Sequence, residues 1–344
     1  MKRIAIIHAW FGPLPNYFNL WLNSCKNNQT IDFYILSDQN INVGENIILV
    51  KTTLAILKKQ FEDYLGFPIS LETPYKLCDY KIIFNVAIPN INQNYDFWGF
   101  CDSDMILGNI RHFLTEEVLN SYPYIGVLGH FHLQKCNYPL FDNVLRQSKT
   151  LEGYSFQDVY TSPRNFIYDE LPYGLPRLII DQKPEDVYSL FYPDHRLLES
   201  PNDSIPGFID AYNNADELGT KYNTTIFSRY SNDIACWKRV PCNGNKKWIY
   251  YKYTQGVLNC CYWENNKYRE REILYVHLFR RKMKVCISDT SETYSVIPNK
   301  FVEKEIAKTD LKFAYSLDHF RCWIIILKRY YYNFKVCIWN FFHK

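Results

Sequence analysis

The sequence predicts an α/β fold with a mixed, mostly parallel sheet, and three observations support this. Short apolar runs alternate along the chain with segments whose apolar residues recur every three or four positions, the pattern of buried strands followed by amphipathic helices. The composition, with 47% hydrophobic and 22% charged residues, is that of an ordinary globular protein. The 344 residues are enough for one large core or two smaller ones.

The first elements form a predicted β-α-β unit. Residues 4–7 are a β-branched and alanine run bounded by Phe11-Gly12-Pro13, as expected for a strand that is buried on both faces. A helix over 14–25 and a strand over 31–36 complete the unit. The next predicted elements are a strand at 47–50, helices at 52–64 and 75–86, a strand at 97–101, a helix at 110–119 and a strand at 124–128.

The remainder of the chain is predicted to be organised differently. Proline-interrupted and polar segments from about 130 to 245 indicate long loops and short helices. A small antiparallel meander is predicted from strands at 248–253, 259–263 and 273–277, with a turn at 264–267. We therefore divide the chain into a domain at 1–290, with a Rossmann-like half at 1–130 and a second half at 131–290, and an amphipathic helical tail at 291–344.

Charge and cysteine content restrict the function. The net charge of +3 is too small for a protein that wraps nucleic acid. The eleven cysteines include no CxxC pair, so we expect reduced, packed thiols in a cytoplasmic protein. The N-terminus lacks the longer apolar region and cleavage site of a signal peptide.

Two aspartates, Asp102 and Asp104, directly follow the apolar strand at 97–101. Ligands of open α/β sheets bind at the carboxyl ends of the strands, where Asp38 also falls, after the second strand. The spacing lets both carboxylates of the pair reach one cation, and hard oxygen ligands suit Mg²⁺ or Mn²⁺ bridging to phosphate. Taken alone, the pattern also fits a solvated or capping turn.

A histidine followed by cations is the second candidate group. His277 precedes Arg280, Arg281, Lys282 and Lys284, and basic side chains beside a metal ligand are suitable partners for a diphosphate. The alternative is that His277 is a structural histidine.

Three other polar groups are ambiguous. Lys76, Asp79 and Tyr80 share one helical turn and could also form a solvated helix face. A pair of histidines at 130 and 132 lies on one face at the strand period and could hold a ligand or line a cleft wall. The acid pair Asp169 and Glu170 could likewise have either a functional or a structural role.

Together these residues resemble a family of bacterial glycosyltransferases with the GT-A fold, whose members are associated with capsule and lipopolysaccharide O-antigen synthesis. The resemblance covers most of residues 1–290. It depends on the β-α-β order and on the segments 74–81, 96–104, 108–111, 128–130 and 277–283. It implies a nucleotide-sugar-binding half at 1–130, and an acceptor-binding half at 131–290 that completes the metal site.

The resemblance also implies roles for individual residues in a transferase that uses Mn²⁺ or Mg²⁺ and a UDP- or GDP-linked sugar donor. The metal ligands are expected to be Asp102 and Asp104, which match the DxD motif of the family, and His277. Contacts with the donor are expected from Phe11, Gly12, Asp38, Lys76, Asp79, Lys81, Ser103, Arg281 and Lys282. Contacts with a saccharide acceptor are expected from Gly129, His130 and His132, and a general base from Asp169 or Glu170 if the enzyme inverts.

Residues 318–344 carry five Lys or Arg residues, one Asp and many aromatic residues. Their apolar run stops after six residues at Lys328, whereas a bilayer-spanning helix takes about 20. Arg321, Lys328 and Lys335 recur every seven residues, which fits a helix lying on an anionic membrane surface. Such a helix would suit a lipid-linked acceptor at the inner face of the plasma membrane; packing against the domain is the alternative.

Two other functions fit parts of the sequence. A phosphatase of the haloacid dehalogenase type would use Asp102 as nucleophile and Asp104 as acid, although that motif usually lies on the first strand of the sheet. A non-enzymatic sugar-binding protein of the membrane surface would use the same acids as structural turns. A Rossmann dehydrogenase is disfavoured because no GxGxxG follows residue 7.

Overall fold

A computed structural model describes residues 1–147, 149, 153–169, 174–188, 249–264, 267–278, 283–303, 305–314 and 316–317. Several predicted features lie outside these residues: Glu170, Arg281, Lys282, the part of the predicted loop region from 189 to 245, and the membrane-surface helix at 318–344.

Strands and helices alternate in the first half of the chain, and among the residues described beyond 248 most of the elements are strands. The strands are β1 (Ile4–Trp10), β2 (Ile31–Ser37), β3 (Ile47–Lys51), β4 (Phe97–Cys101), β5 (Met105–Leu107), β6 (Tyr124–Leu128), β7 (Phe131–Lys135), β8 (Val187–Tyr188), β9 (Ile249–Thr254), β10 (Val257–Glu264), β11 (Lys267–Glu272), β12 (Tyr275–His277), β13 (Lys284–Cys286), β14 (Thr293–Ile297) and β15 (Lys300–Val302). The helices are α1 (Phe18–Lys26), α2 (Leu54–Leu65), α3 (Ile91–Asn94), α4 (Ile110–Phe113), α5 (Glu116–Ser121), α6 (Pro139–Gln147), α7 (Phe156–Thr161) and α8 (Leu175–Gln182), with 3-10 segments at Pro74–Ala87 and Pro184–Asp186.

The larger sheet has seven strands in the order β3-β2-β1-β4-β7-β6-β8. The pairs β1/β2, β2/β3, β1/β4 and β6/β8 are parallel, whereas β7 runs antiparallel to β4 and β6. The prediction of a mixed, mostly parallel sheet is therefore confirmed. Its central strands are apolar on both faces, and residues 4–7 and 97–101 are all buried, as parallel strands covered on both sides require.

Several elements between residues 74 and 135 differ from the predictions. The strand β7 lies where loops were expected. The helix predicted at 110–119 is two short helices, because the Thr115 side chain accepts a hydrogen bond from Val118 N and starts α5 anew. The helix predicted at 75–86 is the 3-10 segment Pro74–Ala87, which has a kink at Ile83 where φ is −123°.

A second sheet has six strands in the order β11-β10-β9-β14-β15-β13. The predicted meander is correct for β9 and β10. Its third strand is β11, which was not predicted, because the predicted strand at 273–277 corresponds to β12 and pairs with β5 instead. This sheet continues past residue 290, where the domain was predicted to end, since β14 and β15 belong to it.

Burial explains why the second sheet extends beyond residue 290. Tyr294 and Val296 on β14 pack with Tyr17 and Ile106, so that one sheet face lies against the first half of the chain. The other face is covered by apolar side chains that include Leu311. Among the residues described, no helix has the length and apolar character needed to cross a bilayer.

Gly99 lies where the backbones of two strands approach closely. A Cβ at this position of β4 would lie 1.8 Å from the carbonyl oxygen of His132 on β7. We expect Gly99→Ala to lower the free energy of unfolding by about 3 kcal/mol or more, because the backbone must move to make room. Urea unfolding of the purified protein measures this loss.

The matched control is Gly44→Ala, since a Cβ there would meet only the flexible Lys26 side chain at 3.1 Å. Equal stability of the two variants would contradict the close packing of β4 against β7.

Candidate metal centre

The two aspartates of the DxD pattern lie in the turn that joins β4 to β5. The backbone N–H of Asp102 donates to the carbonyl oxygen of His130 at 2.9 Å, which fixes the start of the turn. The side chains of Asp102 and Asp104 are 28% and 19% exposed. Both carboxylates therefore remain partly accessible although the strand before them is fully buried.

Strand pairing brings a distant histidine to this turn. In the antiparallel pair β5/β12, His277 is opposite Met105, and Leu278 N donates to the carbonyl oxygen of Asp104 at 2.6 Å. The register places His277 Nε2 3.2 Å from Asp104 Oδ1. Residues 173 positions apart in sequence thus share one site.

Asp102, Asp104 and His277 can each offer one ligand atom, and these atoms lie within 4.8 Å of one another. Two ligands bound at about 2.1 Å from one octahedral ion lie roughly 3 to 4 Å apart, so small side-chain rotations are enough to bring them to one ion. Two carboxylates and an imidazole form a mixed oxygen and nitrogen set that suits Mn²⁺ at least as well as Mg²⁺.

Unsatisfied polar atoms beside this cluster also fit a bound group. His8 Nε2, Ser103 Oγ and Asp169 Oδ1 are buried and have no hydrogen-bond partner among the residues described. Buried polar atoms are normally paired, so a ligand or water is expected here. The donor set and these atoms together fit a divalent cation with its coordinated oxygens.

A buried lysine neutralises part of the negative charge. Lys81 Nζ lies 2.7 Å from Asp102 Oδ1 and 2.9 Å from Asp169 Oδ2, and it donates to the carbonyl oxygen of Gly129 at 2.7 Å. Burial alone lowers the pKa of Lys81, but the two carboxylates outweigh it and raise the pKa well above the usual value. Lys81 is therefore a permanent cation in this cluster.

Asp169 is the buried partner of this lysine. It is 2% exposed, and burial raises its pKa to about 6 against the lowering effect of Lys81. An acid that is enclosed and paired in this way is not placed to take a proton from an acceptor hydroxyl. The structure therefore gives Asp169 a different position from the one expected of a general base.

Lys76 and Asp79, expected to contact the donor, form a second buried ion pair instead. Their charged atoms are 2.7 Å apart, and the side chains are 3% and 0% exposed. Asp79 also accepts from the backbone N–H groups of Phe166 and Tyr168. This pair fastens the segment just before Asp169 to the 3-10 segment.

The histidines expected at the acceptor are also buried. His130 stacks on His277 with ring centroids 4.0 Å apart, and thereby supports the ring of a candidate metal ligand. His132 packs between Phe100 and Tyr124 in the sheet core. Gly129 contributes its carbonyl oxygen to Lys81.

A cavity of about 490 Å³ opens beside the aspartates. Five of the predicted residues line it: Phe11, Lys81, Asp102, Ser103 and Asp104. The cavity is also lined by residues that were not predicted from the sequence, chiefly His8, Trp10, Tyr17, Tyr75 and Phe84. The only sequence signal for the aromatic ones is the content of 17% Phe, Trp and Tyr, which cannot by itself distinguish cavity walls from core.

The first loop is tied to the second strand. Gly12 has φ of +96°, a conformation that favours glycine, and its N–H donates to Asp38 Oδ1 at 3.3 Å. Asp38 is exposed, and side-chain and backbone hydrogen bonds from Gln39 and Gly12 lower its pKa. Asp38 therefore orients the loop that carries Phe11 to the cavity.

The chain belongs to the family DUF6625, described as a family of unknown function, whose profile matches residues 6–305. The match includes both sheets, apart from the first two residues of β1, and every residue of the candidate centre. A search of the curated proteins finds no match.

His132 makes stability depend on pH. Burial lowers its pKa from 6.5 to about 4, so the unfolded chain takes up the proton first as the pH falls. The stability that His132 contributes is therefore complete above pH 6.5 and is lost as the pH falls from 6.5 to 4. By pH 4.5 the loss in the free energy of unfolding is about 2 to 3 kcal/mol. We expect His132→Phe to lose less stability between pH 7 and 4.5 than the native protein, as measured by urea unfolding.

The control is His112→Phe, because the side chain of His112 is 61% exposed and its removal should leave more of the acid destabilisation in place. An unchanged pH dependence in His132→Phe would show that this histidine does not remain neutral in the core.

Proposed function

We propose that this member of the DUF6625 family is a metal-dependent glycosyltransferase that moves a sugar from a UDP- or GDP-linked donor to a growing surface polysaccharide, of capsule or O-antigen. The observation that carries the proposal is the convergence of Asp102, Asp104 and His277 at the edge of an aromatic cavity. The cavity lies at the carboxyl ends of β1 and β4, where open α/β sheets bind their ligands.

The charges of the site suit a diphosphate with its metal ion. Among the described residues, the cluster holds three carboxylates, those of Asp102, Asp104 and Asp169, and the ammonium of Lys81, which pairs with Asp102 and Asp169. With the histidines counted as neutral, this cluster carries a net charge of −2, which one divalent cation balances. A bound Mn²⁺ or Mg²⁺ would supply electrostatic stabilisation of the diphosphate leaving group.

The cavity walls suit the remainder of the donor. Trp10, Phe11, Tyr17, Tyr75 and Phe84 offer flat faces on which a base or sugar ring can stack. The volume of about 490 Å³ falls within the roughly 300 to 1,000 Å³ of small-molecule sites.

The stereochemical course depends on whether a protein base faces the acceptor hydroxyl. The buried carboxylate of Asp169 is paired with Lys81, and Glu170 lies outside the described residues. A retaining reaction requires no protein base here, whereas an inverting one requires a carboxylate of the acceptor half, such as Glu170, to act as general base.

Nucleotide binding tests the proposed activity. Isothermal titration of the full chain with UDP- and GDP-sugars should show binding to one of the two that depends on Mn²⁺. Asp104→Asn should weaken it by roughly a hundredfold or more, because a metal ligand loses its charge. Asp96→Asn, at the opposite end of β4, should leave binding unchanged.

Absence of binding with every nucleotide sugar would contradict the proposal. Hydrolysis of phosphate monoesters through a phosphoenzyme that is lost in Asp102→Asn would support the phosphatase instead.

We further propose that residues 318–344 attach a cytoplasmic enzyme to the inner face of the plasma membrane, where a lipid-linked acceptor would be found. Their net charge of +4 supports attraction to anionic lipid at about 1 kcal/mol per cation.

Sedimentation of the full chain with phosphatidylglycerol vesicles tests this attachment. Replacing Arg321, Lys328 and Lys335 by Gln should reduce binding by roughly a hundredfold. The same charge change at Lys58, Lys59 and Lys183, which pair with acids on the body of the protein, should have a small effect. Equal binding of both variants would contradict a membrane-facing tail.

A further inference from the structure

The ammonium of Lys81 occupies a position that a metal ion would compete for. Its three N–H donors have three close acceptors: Asp102 Oδ1 at 2.7 Å, Asp169 Oδ2 at 2.9 Å and the Gly129 carbonyl oxygen at 2.7 Å. An ammonium has no further donor to offer, and the side chain is 10% exposed. Lys81 therefore already satisfies one of the carboxylates that a metal would bind.

We propose that Lys81 is a built-in counter-cation, which a divalent metal displaces from Asp102 while Asp169 and Gly129 retain it. The inference depends on the metal centre of the proposed function. It makes Asp169 a positioning residue, because Asp169 does not contact the metal but keeps the lysine paired after the exchange.

The charge balance supports the exchange. Without Lys81, three carboxylates would face one another in a largely buried cluster, at a high cost in like-charge repulsion and desolvation. Without Asp169, the ammonium would have Asp102 as its remaining carboxylate partner among the residues described, and would compete with the metal more strongly. We therefore expect Lys81 to lower the affinity of the site for a metal ion and Asp169 to raise it.

The fold holds Asp169 in place for this task. The backbone N–H groups of Phe166 and Tyr168 donate to the buried carboxylate of Asp79, at 2.9 to 3.1 Å. Lys76 Nζ pairs with the same carboxylate and donates to the carbonyl oxygen of Val159 at 2.9 Å. These contacts position Asp169, the next residue after Tyr168, beside Lys81, and none of them involves the metal centre.

Metal affinity tests the inference without any turnover assay. The full chain, freed of metal by a chelator, is titrated with Mn²⁺ and followed by calorimetry or by the electron paramagnetic resonance of the free ion. Lys81→Met should raise Mn²⁺ affinity by at least about tenfold, because a nearby positive charge is removed. Asp169→Asn should lower it by at least about tenfold, because a nearby negative charge is removed. If the Met variant does not fold, Lys81→Gln retains a polar donor without the charge and should change the affinity in the same direction.

The control variants are Lys59→Met and Asp63→Asn, which make the same charge changes in an exposed ion pair on α2. They should leave Mn²⁺ affinity within about twofold, since exposed charges are screened. A fall in affinity in both site variants, or no change in the variants of Lys81, would overturn the displacement while leaving the proposed function intact. A native protein that binds no Mn²⁺ would overturn both.

Discussion

The ion pairs of one buried lysine hold the candidate site together. Lys81 links Asp102, at the end of the central strand β4, to Asp169, which lies about 70 residues further along the chain. Charges removed from water are tolerated only when they are paired and hydrogen-bonded, and here every donor of the ammonium has an acceptor. Because the pairing neutralises one of three carboxylates, it reduces the like-charge repulsion in the cluster and leaves the net negative charge that the proposed cation site requires.

The rest of the architecture serves to bring these charges to one place. Parallel pairing of β1 with β4 aligns their carboxyl ends, so that the aromatic residues after β1 lie beside the aspartates. Antiparallel pairing of β5 with β12 fixes the register that delivers His277. Both pairings depend on buried apolar strands, and thus the same residues that form the core determine the geometry of the polar site.

The sequence predicts the parallel part of this fold well, because its strands are continuous apolar runs between clear turns. It predicts the metal candidates as well, since Asp102 and Asp104 end such a strand. It does not predict the role of Lys76 and Asp79, because an ion pair three residues apart looks the same whether the helix face is solvated or buried. The buried positions of His132 and Asp169 likewise depend on contacts made by residues far along the chain, which no local pattern encodes.

A crystal soaked with Mn²⁺ and a nucleoside diphosphate would test the account most directly. Anomalous scattering should place one Mn²⁺ among Asp102, Asp104 and His277, with the diphosphate on the ion and the base in the aromatic cavity. Lys81 Nζ should remain within hydrogen-bond distance of Asp169 and should have left Asp102. A nucleotide bound elsewhere, or a Mn²⁺ ion that does not touch these three residues, would contradict the account.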